Sequence, residues 1–138
     1  MPITLREAHD LIDNAHRRAR ELGAHITVAI VDEGGHLQAL GRMDDAPPLS
    51  AEIAGHKAAS VALIRRDGAA LRQMQEAWPA FFSQVERATR RPILAGAGSM
   101  LIRRADTVLG AIAVSGGLPQ QDDECAEAGL AGLVQALR

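Results

Sequence analysis

The chain predicts one α+β domain, residues 1–138, built on a mainly antiparallel sheet of about five strands flanked by helices. Three observations carry this. The strand-like runs are linked as hairpins rather than alternating with helices, which disfavours a doubly wound parallel sheet. The length suits a single domain able to bury a core without disulfide or metal staples. Helical periodicity occupies both ends, amphipathic at the N-terminus and rich in small residues at the C-terminus.

Thr4-Leu5-Arg6-Glu7 has the spacing of a capping box, in which the threonine caps and the glutamate reaches back. Behind it Leu5, Ala8, Leu11, Ile12, Ala15, Ala19 and Leu22 recur at threes and fours, and Gly23 supplies a stop. Ala24–Val31 reads as a buried strand, with Ile26, Val28 and Ile30 alternating. Gly34-Gly35 accepts the positive φ of a tight hairpin, and His36–Arg42 is the partner strand. Pro47-Pro48 forbids helix in the following loop. Ser50 suits an N-cap for a second helix to Ile64, and Asp67 one for a short third helix over Gly68–Gln75. Glu76–Arg91 has no clear period; Trp78-Pro79-Ala80-Phe81-Phe82 suits a core cap, a cleft lining or a subunit contact. Ile93–Leu94, Gly98–Arg103 and Thr107–Val114 read as strands, the last two joined at Ala105-Asp106. A final helix follows Pro119, with Asp122, Asp123 and Glu124 in its first turn, where acids suit the helix dipole. Its face of Cys125, Ala128, Gly129, Gly132 and Leu133 allows close packing.

Composition removes several function classes. Trp78, Phe81 and Phe82 are the only aromatic residues, too few to stack on bases. The net charge of −2 gives no electrostatic case for nucleic acid or an acidic membrane. No stretch has the length of a membrane span, and the charged N-terminal helix is no signal peptide, so a soluble cytoplasmic protein is expected. Cys125 is alone, which excludes an intrachain disulfide.

No metal site is expected, since one cysteine and scattered histidines lack zinc-ligand spacing. Gly96-Ala97-Gly98 lacks a dinucleotide fingerprint and Ser115-Gly116-Gly117 is no nucleophile elbow. What remains is a set of polar candidates. Asp32 and His36 sit at one end of the hairpin, where a carboxylate and an imidazole suit acid–base work; Asp32 suits equally an Asx role, accepting from turn amides. Lys57 falls on the apolar face of the second helix, either snorkelling or aimed into a pocket as an anion holder. Ser115 and Gly116 offer a hydroxyl and a turn amide. His9 and His16 share one side of the first helix and suit either surface positions or axial ligation of haem iron.

Three blocks resemble the GlcG/HbpS family, also called the haem-degrading or DUF336 domain. They are Thr4-Leu5 with the helix to Gly23; Val28–Asp44 with Asp32-Glu33-Gly34-Gly35-His36, followed by Ala54 and Lys57-Ala58; and Gly110–Gly117 with Gln121-Asp122, Cys125-Ala126 and Ala128-Gly129-Leu130. The resemblance implies a profilin- or PAS-like fold, homo-oligomers that are often octamers, and haem binding in some members. His16 stands closest in place to a histidine ligand. Two segments depart from the family pattern: Met100 stands where a proline is usual, and Trp78–Phe82 with its arginines replaces a Gly/Asn-rich stretch.

Three functions follow as expectations. The first is an oligomer binding haem or a similar-sized small molecule, with His16, His9, Ser115 and Gly116 as binding residues. The second is an isomerase, hydratase or lyase acting on a small carboxylate through Asp32, His36 and Lys57. The third is a structural partner domain assembling through the small-residue helix and the Trp78–Phe82 patch.

Overall fold

The computed structural model describes residues 2–136. Helix α1 (Leu5–Leu22) begins at the expected capping box, Thr4 Oγ1 accepting from Glu7 N, and ends at Gly23 in the left-handed region. Strands β1 (Thr27–Asp32) and β2 (Leu37–Arg42) form the hairpin. Three helices follow: α2 (Ser50–Ile64), α3 (Gly68–Ala77) and α4 (Pro79–Thr89). Strands β3 (Ser99–Arg104) and β4 (Thr107–Ser115) make a second hairpin, and α5 (Pro119–Ala136) closes the order.

The sheet is antiparallel throughout, in the order β2-β1-β4-β3. It has four strands, not about five. Ile93–Leu94 is no strand because its backbone groups are satisfied elsewhere: Gln75 Nε2 donates to Ile93 O at 3.0 Å, and Leu94 N donates to Ser60 Oγ at 3.0 Å. Pro92, just before, has no N–H to offer a neighbouring strand.

The two sheet faces differ. Val28 and Ile30 of β1, with Ile112 and Val114 of β4, point to α1 and α5. There α1 contributes Ala8, Leu11 and Ala15, and α5 contributes Cys125 and Ala126. At Gly129 a Cβ would lie 2.9 Å from Ile112 Cδ1 and 3.1 Å from Leu11 O, so the missing side chain lets α5 pack close to β4 and α1. Ala29 and Val31, with Ala111 and Ala113, face α2. Small residues on both sides, Ala54, Ala58 and Ala62 from α2, bring that helix close to the strands. Each fully buried isoleucine contributes about 2 kcal/mol through removal from water, so Ile30 and Ile112 anchor the α1–α5 face.

The stretch with no clear period, Glu76–Arg91, is mostly helix α4, entered through Pro79 at its first turn. Among helices and strands, α4 packs on α3 alone. Phe82 joins Leu71 and Ile93 in a small third core, whereas Trp78 and Phe81 are exposed. The patch is therefore only partly a core cap. Ser50 is not a cap residue. It lies inside α2, donates its hydroxyl to Pro47 O, and accepts from Thr27 Oγ1 at 2.7 Å. Asp67 stands at the start of α3, but its carboxylate accepts from Leu101 N on β3.

Candidate functional site

The β1–β2 turn is built around Asp32. Its Oδ1 accepts from Gly34 N and His36 N, each at 2.9 Å, and from His36 Nδ1 at 3.2 Å. Burial would raise the Asp32 pKa, but the two amides and the imidazole outweigh it and hold it below the usual value. Only Gly35 takes a positive φ, +79°, and a Cβ there would also strike Leu63 of α2. The Asx role is thus physically present. The His36 side chain is 77% exposed.

Lys57 lies elsewhere. Val114 pairs with Val28, and Gly110 with Asp32, so these points on β1 are four residues apart. At ~3.3 Å per residue that is roughly 13 Å. Lys57 Nζ donates to Val114 O at 2.7 Å and is buried, so it does not snorkel. The structure therefore places Lys57 with Ser115, and Asp32 with His36, at opposite ends of one strand rather than around one point.

Two acids missing from the sequence candidates face Lys57. Burial pushes the Lys57 pKa down, and the negative charges of Asp122 and Asp123 oppose that shift. Burial likewise pushes Asp122 up, against the pull of Lys57 and the Gly117 amide. Asp122 Oδ1 accepts from Gly117 N at 3.0 Å, and Asp123 Oδ1 accepts from Gly98 N at 2.6 Å. These two acids near the start of α5 thus hold two glycine turns and complement a buried ammonium. The sequence signal for them was Lys57 itself, since a charge on an apolar helix face calls for a buried partner.

Ser115 and Gly116 lie at the exit of β4. Gly116 borders a shallow depression of ≈ 350 Å³ shared with His25 and Asp45. His9 is exposed and borders another shallow depression with Leu5, Arg6 and Asp10. His16 is half-buried against the edge strand, its Nε2 3.0 Å from Gly41 O. A carbonyl only accepts, so Nε2 carries the proton and the neutral ring keeps its lone pair on Nδ1. Burial lowers the His16 pKa. The Gly41 carbonyl and Asp13 oppose that shift and Arg20 reinforces it. The ring is thereby held neutral, in one tautomer and one orientation.

On the opposite face of the sheet, a cleft of ≈ 460 Å³ opens between α2 and α4. Leu63, Ile64 and Ala59 of α2 form its floor, and Val85 of α4 and Ile93 its far wall. His56, Arg90 and Arg91 stand at it too. Neither this cleft nor His56 was among the sequence candidates. The departing segment Trp78–Met100 supplies its wall, and the hairpin reaches it only through Gly35 packing on Leu63.

A family model described as haem degrading protein HbpS-like matches residues 3–131. The corrinoid adenosyltransferase PduO of Citrobacter freundii is 29% identical over 133 residues, covering 96% of this chain and 39% of PduO. Protein GlcG of Escherichia coli K12 is 40% identical over 60 residues, 44% of this chain and 45% of GlcG. Each match thus covers less than half the length of the relative. Among solved structures, a PduOC:heme complex superimposes with a TM-score of 0.85 at 25% identity, covering 96% of this chain and 95% of that one. No described helix is long and apolar enough to cross a membrane. With the model matched along almost all of its length and the fold shared, the chain belongs to the HbpS-like family of haem-degrading proteins.

Proposed function

We propose that this protein binds haem, or a small molecule of similar size, as a homo-oligomer in the cytoplasm, with His16 as the axial ligand. The carrying observation is the 3.0 Å contact of His16 Nε2 with Gly41 O. Metal-ligating histidines commonly donate the second ring N–H to a backbone carbonyl, which fixes the tautomer and aims the free nitrogen. His16 has that arrangement, and its lowered pKa keeps the nitrogen unprotonated near neutral pH. Haem, when bound, supplies a redox-active iron. The chain's own part is to hold a neutral imidazole in a fixed orientation. His9, on the same side of α1, is the auxiliary binding residue, and Ser115 and Gly116, at the exit of β4, are the further binding residues, Gly116 bordering a depression of its own. The family membership and the haem complex of a similar domain support this reading.

Titration with hemin tests it. The Soret band is expected to shift and saturate at a fixed ratio of hemin to chain. His16→Ala should abolish the shift, His9→Ala should weaken it, and His56→Ala should leave it intact. No saturable shift in the wild type rules the reading out. Catalysis through Asp32, His36 and Lys57 together receives no geometric support, because the two sets stand at opposite ends of β1.

A further inference from the structure

The α2–α4 cleft is remote from His16, on the other face of the sheet, and has its own chemistry. Its floor and far wall are aliphatic. The residues around it include two arginines and a histidine and no acid. Among the described residues, the ion pairs engage neither Arg90 nor Arg91. The guanidiniums are equally absent from the side-chain hydrogen bonds, where only the Arg91 backbone N–H appears, donating to Thr89 Oγ1. Two adjacent cations left unpartnered at the mouth of an apolar cleft complement one kind of molecule, an apolar body ending in an anion. The volume is within the range of small-ligand sites.

The cleft is also a built feature. Ser60 Oγ donates to His56 O at 2.7 Å and accepts from Leu94 N at 3.0 Å, which ties the Pro92–Leu94 wall to α2. Phe82 and Ile93, packed with Leu71, hold α4 at the other side. Arg90 sits in the left-handed region at φ 55°, where α4 ends. That turn sets the two arginines at the mouth.

We propose that this cleft is a second binding site, separate from the haem site, for a small apolar carboxylate whose anionic end meets Arg90 and Arg91 and whose body lies on Leu63, Ile64 and Val85.

Calorimetric titration of the full chain with decanoate and with decanol tests the proposal. The two probes share an aliphatic body and differ in the anion. Decanoate is expected to bind at least ~10-fold more tightly than decanol, as a charge-assisted contact with a guanidinium requires. In Arg90→Gln/Arg91→Gln that advantage should vanish while decanol binding is unchanged. Ala59→Trp, which fills the floor, should remove both. Equal affinity of decanoate and decanol for the wild type overturns the proposal. So does an advantage that survives the double substitution, or decanoate binding that survives Ala59→Trp. Hemin titration of the double variant is expected to match the wild type, and weakened hemin binding there would overturn the separateness of the two sites.

Discussion

The two faces of the sheet handle polar groups in opposite ways. On the α1–α5 face two helices cover the strands over a core of large aliphatic side chains, and His16 is fixed at the edge by a backbone carbonyl. On the α2 face a single helix covers the strands. The outer layer of α3 and α4 touches it only in part, which leaves a cleft. Neighbours on α2 show the contrast most sharply. Lys57 turns inward to Val114 O and two acids, whereas His56 turns outward to the cleft. A buried cation with partners builds the fold. Exposed cations without partners, such as Arg90 and Arg91, are free to recognise something else.

The largest expected effect breaks the inward half of that contrast. Lys57→Ala leaves Val114 O and two acids without their cation, and should cost about 3 kcal/mol in urea unfolding. Asp122→Ala added to it should restore part of the loss, because Asp122 would otherwise be a buried carboxylate without its cation, held only by the Gly117 amide. A Lys57→Ala cost within measurement error would mean that the ammonium is not part of the fold's support.

Asp32→Ala comes next. It removes the acceptor for two turn amides and should cost about 1–2 kcal/mol, while Asp32→Asn, which keeps an Oδ1 acceptor, should recover most of it. Both variants should bind hemin as the wild type does. Loss of hemin binding in Asp32→Asn would instead tie the hairpin to function rather than to the turn. On the outward half, Arg90→Gln/Arg91→Gln should change the unfolding free energy by no more than about 0.5 kcal/mol, as expected for surface positions.

The smallest effect is a pH dependence. The His16 pKa is lowered in the folded chain, so the unfolded chain binds more protons just below the ordinary histidine value of 6.5. Stability contributed by the neutral ring is therefore present above pH 6.5 and is lost as pH falls through the window below it. The melting temperature should fall on acidification in that window, and fall less in His16→Gln. An identical fall in both would assign it to other groups.

The legible parts of this chain were those whose signal is local. The Thr4–Glu7 capping box, the apolar stripe of α1, the Gly34-Gly35 turn and the Thr107–Val114 strand all follow from spacing within one element. The fourth-strand limit was not legible, because Ile93 and Leu94 look like a strand until the distant Gln75 and Ser60 take their hydrogen bonds. Helix α4 was hidden by Pro79 and by the aromatic cluster at its start, which draws attention as a patch rather than as a helix face. The site was half-legible. His16 and Asp32 could be read from their own helix and turn, but Asp122 as the complement of Lys57 depends on α5 returning to the end of β4. The cleft depends on two helices and a loop that only tertiary packing brings together.

The most direct test of the account is a crystal structure of the protein grown with hemin, phased to locate the iron. The iron is expected at His16, bound through Nδ1, with Nε2 still on Gly41 O and with the α2–α4 cleft free of porphyrin. Iron beside His56 in that cleft, or anywhere that leaves His16 without a bond to it, would contradict the account.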